Sequence, residues 1–162
     1  MFKKRIVLIF YAMKTTKVFY QSILSTSNGN PELIVRLIVG LIFLSEGVQK
    51  YLFPEILGTG RFLKIGFTNP EFWAYFTGSF EIICGVFILI GLFTRLMSIP
   101  LFIIMVTAFV TTKWPLLIEK GFWPFAHEYR TDFAMTLLLI YLLIYGSGRR
   151  SVDSKIINNS KT

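Results

Sequence analysis

The sequence predicts an all-α membrane protein, a four-helix transmembrane bundle with both termini in the cytoplasm. Three observations carry that prediction. Four apolar runs, each near the ~20 residues that cross a bilayer, account for most of the 162 residues. So short a chain cannot bury four such helices and keep a wet surface. The mean hydropathy of +0.61 and the 16% of charged residues both depart from soluble averages. Finally, the basic residues divide unevenly between the two ends of the runs.

The elements follow in order along the chain. Residues 1–31 read as a cytoplasmic lead-in. Lys3, Lys4 and Arg5 precede a short apolar stretch, but Lys14 and Lys17 follow it and no small-residue cleavage pattern appears. An interfacial helix with Phe10, Tyr11, Phe19 and Tyr20 at the headgroups is expected there, and Met13 is an alternative start. The polar break STSNGNP ends at Pro31, which suits the first turn of a helix. The membrane domain covers residues 32–150, with spans at about 32–51, 71–93, 96–112 and 131–146. Pro54, Gly58 and Gly60 open a loop that ends near Asn69 and Pro70, and Thr94–Arg95 make a tight turn. Pro100 falls in the first turns of the third span, and Trp114–Pro115 close it. A second long connection occupies residues 116–130, and the polar tail 151–162 is expected to fray.

Four spans put Lys3, Lys4, Arg5, Lys14, Lys17, Arg36, Arg95, Arg149, Arg150, Lys155 and Lys161 on one side. The other side balances Arg61, Lys64, Lys113, Lys120 and Arg130 against Glu55, Glu71, Glu119, Glu128 and Asp132. The positive-inside rule then makes the first side cytoplasmic. Trp73, Trp114 and Trp123 all fall at the opposite interface, where an aromatic belt belongs. The net charge of +8 is therefore explained by residues flanking spans, not by a nucleic-acid partner.

Charges inside the apolar runs are where function is sought, because a charge near mid-bilayer costs about 2.5–3.5 kcal/mol on insertion scales. Arg36, Gly40, Phe43, Gly47 and Lys50, spaced 4, 3, 4 and 3 apart, form one narrow helical stripe. Its glycines let another backbone approach, so the stripe faces the bundle. Glu46 stands at i, i+4 from Lys50, as a salt bridge at the bundle rim or as part of a polar site. Gly78, Glu81 and Gly85 share a face of the second span, with Glu81 roughly 15 Å deep. Glu81 is either neutral or paired with a cation, Lys50 and Arg130 being the candidates. Cys84 reads as a small packing residue off that stripe. At the mouth of the fourth span, His127, Arg130 and Asp132 are secondary candidates, of which Arg130 and Asp132 would close the bundle with Lys50, Glu46 and Glu81, unless the segment is a solvated loop.

Several chemistries lack the residues they need. One cysteine, Cys84, forms no internal disulfide or CxxC pair. One histidine, His127, provides neither bis-histidine haem ligation nor a Cys/His zinc set. No catalytic, metal or cofactor motif is evident.

The stripe from Arg36 to Lys50 followed by Pro54, together with Glu81-x3-Gly85-x3-Leu89-x-Gly91-Leu92-x-Thr94-Arg95, resembles the DoxX family of small four-span bacterial membrane proteins. The resemblance covers residues 33–150. It implies an inner-membrane bundle with cytoplasmic termini, and it marks Arg36, Lys50, Glu81 and Arg95 as family-pattern positions. The family takes its name from likeness to a membrane subunit of a thiosulfate:quinone oxidoreductase. By that likeness the chain is expected to be a non-catalytic subunit of an oxidoreductase complex, with a redox protein as partner and any quinone reached through it. The alternative is a small-solute, proton or lipid binding or transport protein with an outer-leaflet pocket around Glu46, Lys50 and Glu81. Besides lipid, a second copy of the chain is a possible partner.

Overall fold

A computed structural model describes residues 30–159. The expected interfacial helix of the lead-in lies outside them. The described residues are helical and contain no strand. In chain order the helices are α1 (Pro31–Leu52), α2 (Thr59–Ile65), α3 (Pro70–Ile90), α4 (Thr94–Ala108), α5 (Trp114–Lys120), α6 (Phe122–Tyr145) and α7 (Val152–Asn159). A π-helical turn, Phe109–Lys113, joins α4 to α5 without a break.

Both α1 and α3 begin at an Asn-Pro pair. Proline suits the first turn because its missing N–H has no helical acceptor there. The 22 residues of α1 measure about 33 Å at 1.5 Å per residue. Two helices, Pro70–Ile90 and the continuous Thr94–Lys120, are long and apolar enough to cross a membrane.

The long helices run antiparallel to their neighbours. Near its start, α1 touches the ends of α3 and α6, through Arg36 bonded to Leu89 O and Ser147 O. Near its end, α1 meets the first half of α3 through Lys50 and Glu81. One end of the molecule thus gathers the starts of α1 and α4 with the ends of α3 and α6. Val39, Phe43, Cys84, Ile88, Leu101, Met135, Leu139 and Leu142 form the buried core. Outward faces are apolar too, with Ile34, Leu41, Ile83, Ile103 and Ile144 all exposed. Apolar exposure on that scale suits hydrocarbon, not water.

Four expectations need correction. The connection 116–130 is helical, because Pro115 and Pro124 sit within the first turns of α5 and α6, where proline starts a helix. Pro100 is the seventh residue of α4, beyond the first turn, and the helix continues past it at the loss of one bond, the one to Leu96 O. The tight turn lies at Gly91–Phe93, and Thr94 already begins α4. There Gly91, at φ 73°, ends α3: Leu92 N–H donates to Phe87 O at 2.9 Å and Gly91 N–H to Ile88 O at 3.1 Å, the Schellman arrangement. The tail does not fray along its first part: residues 152–159 form α7.

Candidate functional site

Small residues bring α1 and α3 together. A Cβ on Gly47 would stand 2.7 Å from Gly78 O, and one on Gly40 would stand 2.9 Å from Gly85 O. All four glycines of the two stripes therefore lie in one helix–helix contact, as the spacing predicts. This close approach lets Lys50 reach across to Glu81.

Lys50 Nζ donates to Glu81 Oε2 at 2.6 Å, and both side chains are more than nine-tenths buried. Glu46 Oε2 is 4.0 Å from the same ammonium, with its side chain 45% exposed. Of the two acids near Lys50, the distant one in sequence makes the short contact. Glu46 is not the main partner. Arg61 on α2 acts on Glu81 electrostatically. Beside the pair, Tyr51 Oη lies 2.6 Å from Ser79 Oγ and donates to Tyr75 O at 3.1 Å. An open groove of about 720 Å³ runs along α3 there, lined in part by Thr59, Asn69, Phe72, Tyr75, Phe76 and Ser79. Glu46, Lys50 and Glu81 do not line it.

The secondary residues do not join this centre. Asp132 pairs with Lys113 at 3.3 Å, and Lys113 also donates to Glu128 O at 3.0 Å. Arg130 approaches His127 Nδ1 at 3.4 Å. These residues ride on the first turns of α6, where Lys113 on the π-turn faces them. The expected closure of the bundle mouth by Arg130 and Asp132 is thus replaced by a separate contact between the π-helical turn and α6.

A second polar centre occupies the opposite end. Arg36 is 3% exposed. It donates to Ser147 O at 2.8 Å, Arg150 O at 3.0 Å and Leu89 O at 3.1 Å. Arg95 donates to Ile144 O at 2.8 Å, capping the end of α6. Sequence reasoning missed Asp153, whose carboxylate accepts from Phe93 N–H at 2.8 Å and Thr94 N–H at 3.2 Å. Its own N–H donates to Gly91 O at 3.0 Å. The tail thereby holds the turn in which Phe93 takes φ 50°, a conformation that costs about 1–3 kcal/mol in a non-glycine residue. Cys84, 2% exposed, packs in the core beside the glycine stripe. No group of three His, Cys, Asp or Glu side chains that could hold a metal occurs among the described residues.

Residues 32–114 match the family model for DoxX. An uncharacterized membrane protein of Mycobacterium tuberculosis is 47% identical over 137 residues, covering 80% of this chain and 84% of that protein. The Bacillus subtilis protein named "Putative oxidoreductase CatD" is 30% identical over 130 residues, covering 80% of this chain and 89% of that one. No solved structure matches the chain.

Proposed function

Because the chain belongs to the DoxX family of membrane proteins, we propose that it is a non-catalytic membrane subunit of a quinone-linked oxidoreductase complex. In this reading α1, α3, α4–α5 and α6 are four spans of the bacterial inner membrane, and both termini are cytoplasmic. The observation that carries the role is the likeness to CatD, which takes in 89% of that protein's length. A relative named for oxidoreductase activity is thus nearly all accounted for by the region this chain shares. With one cysteine and one histidine in the whole sequence, redox groups are best supplied by a partner subunit. The topology is supported by the length of α1 and α6, by their apolar outer faces, and by the asymmetry of basic residues.

The test is affinity purification of the full chain in mild detergent, paired with quinone reduction in membranes with and without the gene. A stoichiometric partner carrying flavin, haem or an iron–sulfur cluster, with quinone reduction falling on deletion, supports the role. A chain that purifies alone from membranes whose quinone reduction is unchanged by deletion refutes it. The groove beside Tyr75 and Ser79 favours one second reading, lipid or small-solute binding. Its lining of aromatic rings with hydroxyls and the Glu71 carboxylate suits an amphiphile. Lipid retained by the wild type but lost from Tyr75→Ala after delipidation would support it.

A further inference from the structure

Glu46, Lys50 and Glu81 set two carboxylates around one ammonium. Lys50 Nζ is 2.6 Å from one and 4.0 Å from the other. With all three ionised, the cluster carries one net negative charge, with Glu81 near the middle of α3, Lys50 in the last turn of α1, and both of those side chains buried. Water is scarce there, so the missing positive charge has to come from somewhere.

The surrounding helices do not provide it at contact distance. On α2, Arg61 acts on Glu81 only at longer range. On α1, the neighbours Ser45 and Gln49 are uncharged and bonded to each other at 2.8 Å. Ser79 and Tyr75 of α3 are engaged with Tyr51. Across the molecule, Lys113 is taken up by Asp132 and Glu128 O, and Arg130 by His127. Arg36 and Arg95 stand at the opposite end, bonded to carbonyls. The half-exposed Glu46 is the one member of the cluster open to the outside.

We propose that these three residues form a proton-binding site, loaded through Glu46 and storing the proton at Glu81. Hydronium first protonates the Glu46 carboxylate. Lys50 then gives a proton to Glu81 across the short contact and regains one from Glu46 as its flexible stem closes the longer gap. At the end Glu81 is a carboxylic acid, Lys50 is again an ammonium, and Glu46 is again a carboxylate, now the partner of Lys50. One proton has moved inward from water, no electron has moved, and the cluster is neutral. This step is independent of the oxidoreductase role and stands or falls without it.

The test uses the purified full chain in lipid nanodiscs, followed by infrared spectroscopy after a jump from mildly alkaline to mildly acidic buffer. A protonated-carboxyl stretch worth one group per chain is expected in the wild type and absent in Glu81→Gln. In Glu46→Gln the same band should appear more slowly by about a hundredfold or more, the low end of what a positioned acid–base group contributes. If Glu81→Gln does not fold, Glu81→Asp serves instead and should shift the band's frequency. A wild type without the band, a band unaltered by either Glu81 substitution, or equal rates in wild type and Glu46→Gln would each overturn the proposal.

Discussion

Separating Lys50 from Glu81 should unsettle the α1–α3 contact more than any surface change, and a double-mutant cycle reads it directly. At 2.6 Å and an effective dielectric of about 20, the gross attraction is about 6 kcal/mol. Desolvating two ions costs several kcal/mol each, so the intact pair contributes little net stability. Removing one member is different, because the remaining charge keeps its desolvation cost and loses its partner, for about 3–5 kcal/mol. Glu81→Gln and Lys50→Met are therefore each expected to lower stability by about 3 kcal/mol. The double variant, with two neutral side chains of similar size, should recover about 2–3 kcal/mol of the summed loss. The Lys113–Asp132 pair at 3.3 Å, whose side chains are 13% and 29% exposed, provides the comparison. Its coupling should stay below about 1 kcal/mol. The assay is reversible denaturation of purified protein in mixed micelles, followed by circular dichroism. Losses that simply add at Lys50 and Glu81, with coupling under about 0.5 kcal/mol, would refute the reasoning.

Other changes test the packing and the ends. Gly47→Ala puts a methyl 2.7 Å from Gly78 O, and size exclusion should show lost folded yield from a cost of about 1–3 kcal/mol; exposed Leu41→Ala should leave the yield unchanged. Arg36→Met abandons three part-buried carbonyls and should cost about 1–3 kcal/mol, with faster hydrogen exchange across residues 147–159. Asp153→Ala removes the cap on α4 at a cost of about 1–2 kcal/mol and should hasten tryptic cleavage after the exposed Lys155. A periplasm-active reporter fused after Lys64 should be active and one after Thr162 silent; the reverse result would invert the proposed orientation.

What could be read from the sequence follows the range of the interactions involved. The glycine stripes were legible because their 3–4 spacing is a property of one helix, and the close contacts at Gly40, Gly47, Gly78 and Gly85 follow from it. The partner of Lys50 was only half legible. Local spacing points to Glu46, whereas the short bond goes to Glu81, a choice made by how two helices are rotated against each other. The connection 116–130 was not legible as helix because Trp114–Pro115 read as the end of a span and Gly121 and Pro124 as loop residues, while the chain uses the prolines to open two helices. Asp153 carried no signal, since the N–H groups it caps lie 59 and 60 residues earlier. The same holds for Arg36, whose acceptors are backbone carbonyls that no side-chain pattern reveals.

The two polar centres differ in a way that separates structure from function. Arg36 is a guanidinium, which keeps its charge in proteins, and it bonds to carbonyls that neither gain nor lose protons. Such a centre can only hold α1, α3 and the segment after α6 in place. Lys50 instead stands between two carboxylates, one buried and one half exposed, at unequal distances. That arrangement has two states of nearly equal composition, with the ammonium nearer Glu81 or nearer Glu46, and a proton decides between them. Glycines on both helices hold the two backbones in close contact, and the arginine end fixes the helices from the other side, so that any shift belongs to the Lys50 side chain alone. A rigid end and an exchangeable end are what the proposed proton site needs, and so Glu46, half exposed and outside the short contact, is the residue where loss of proton loading should precede loss of fold.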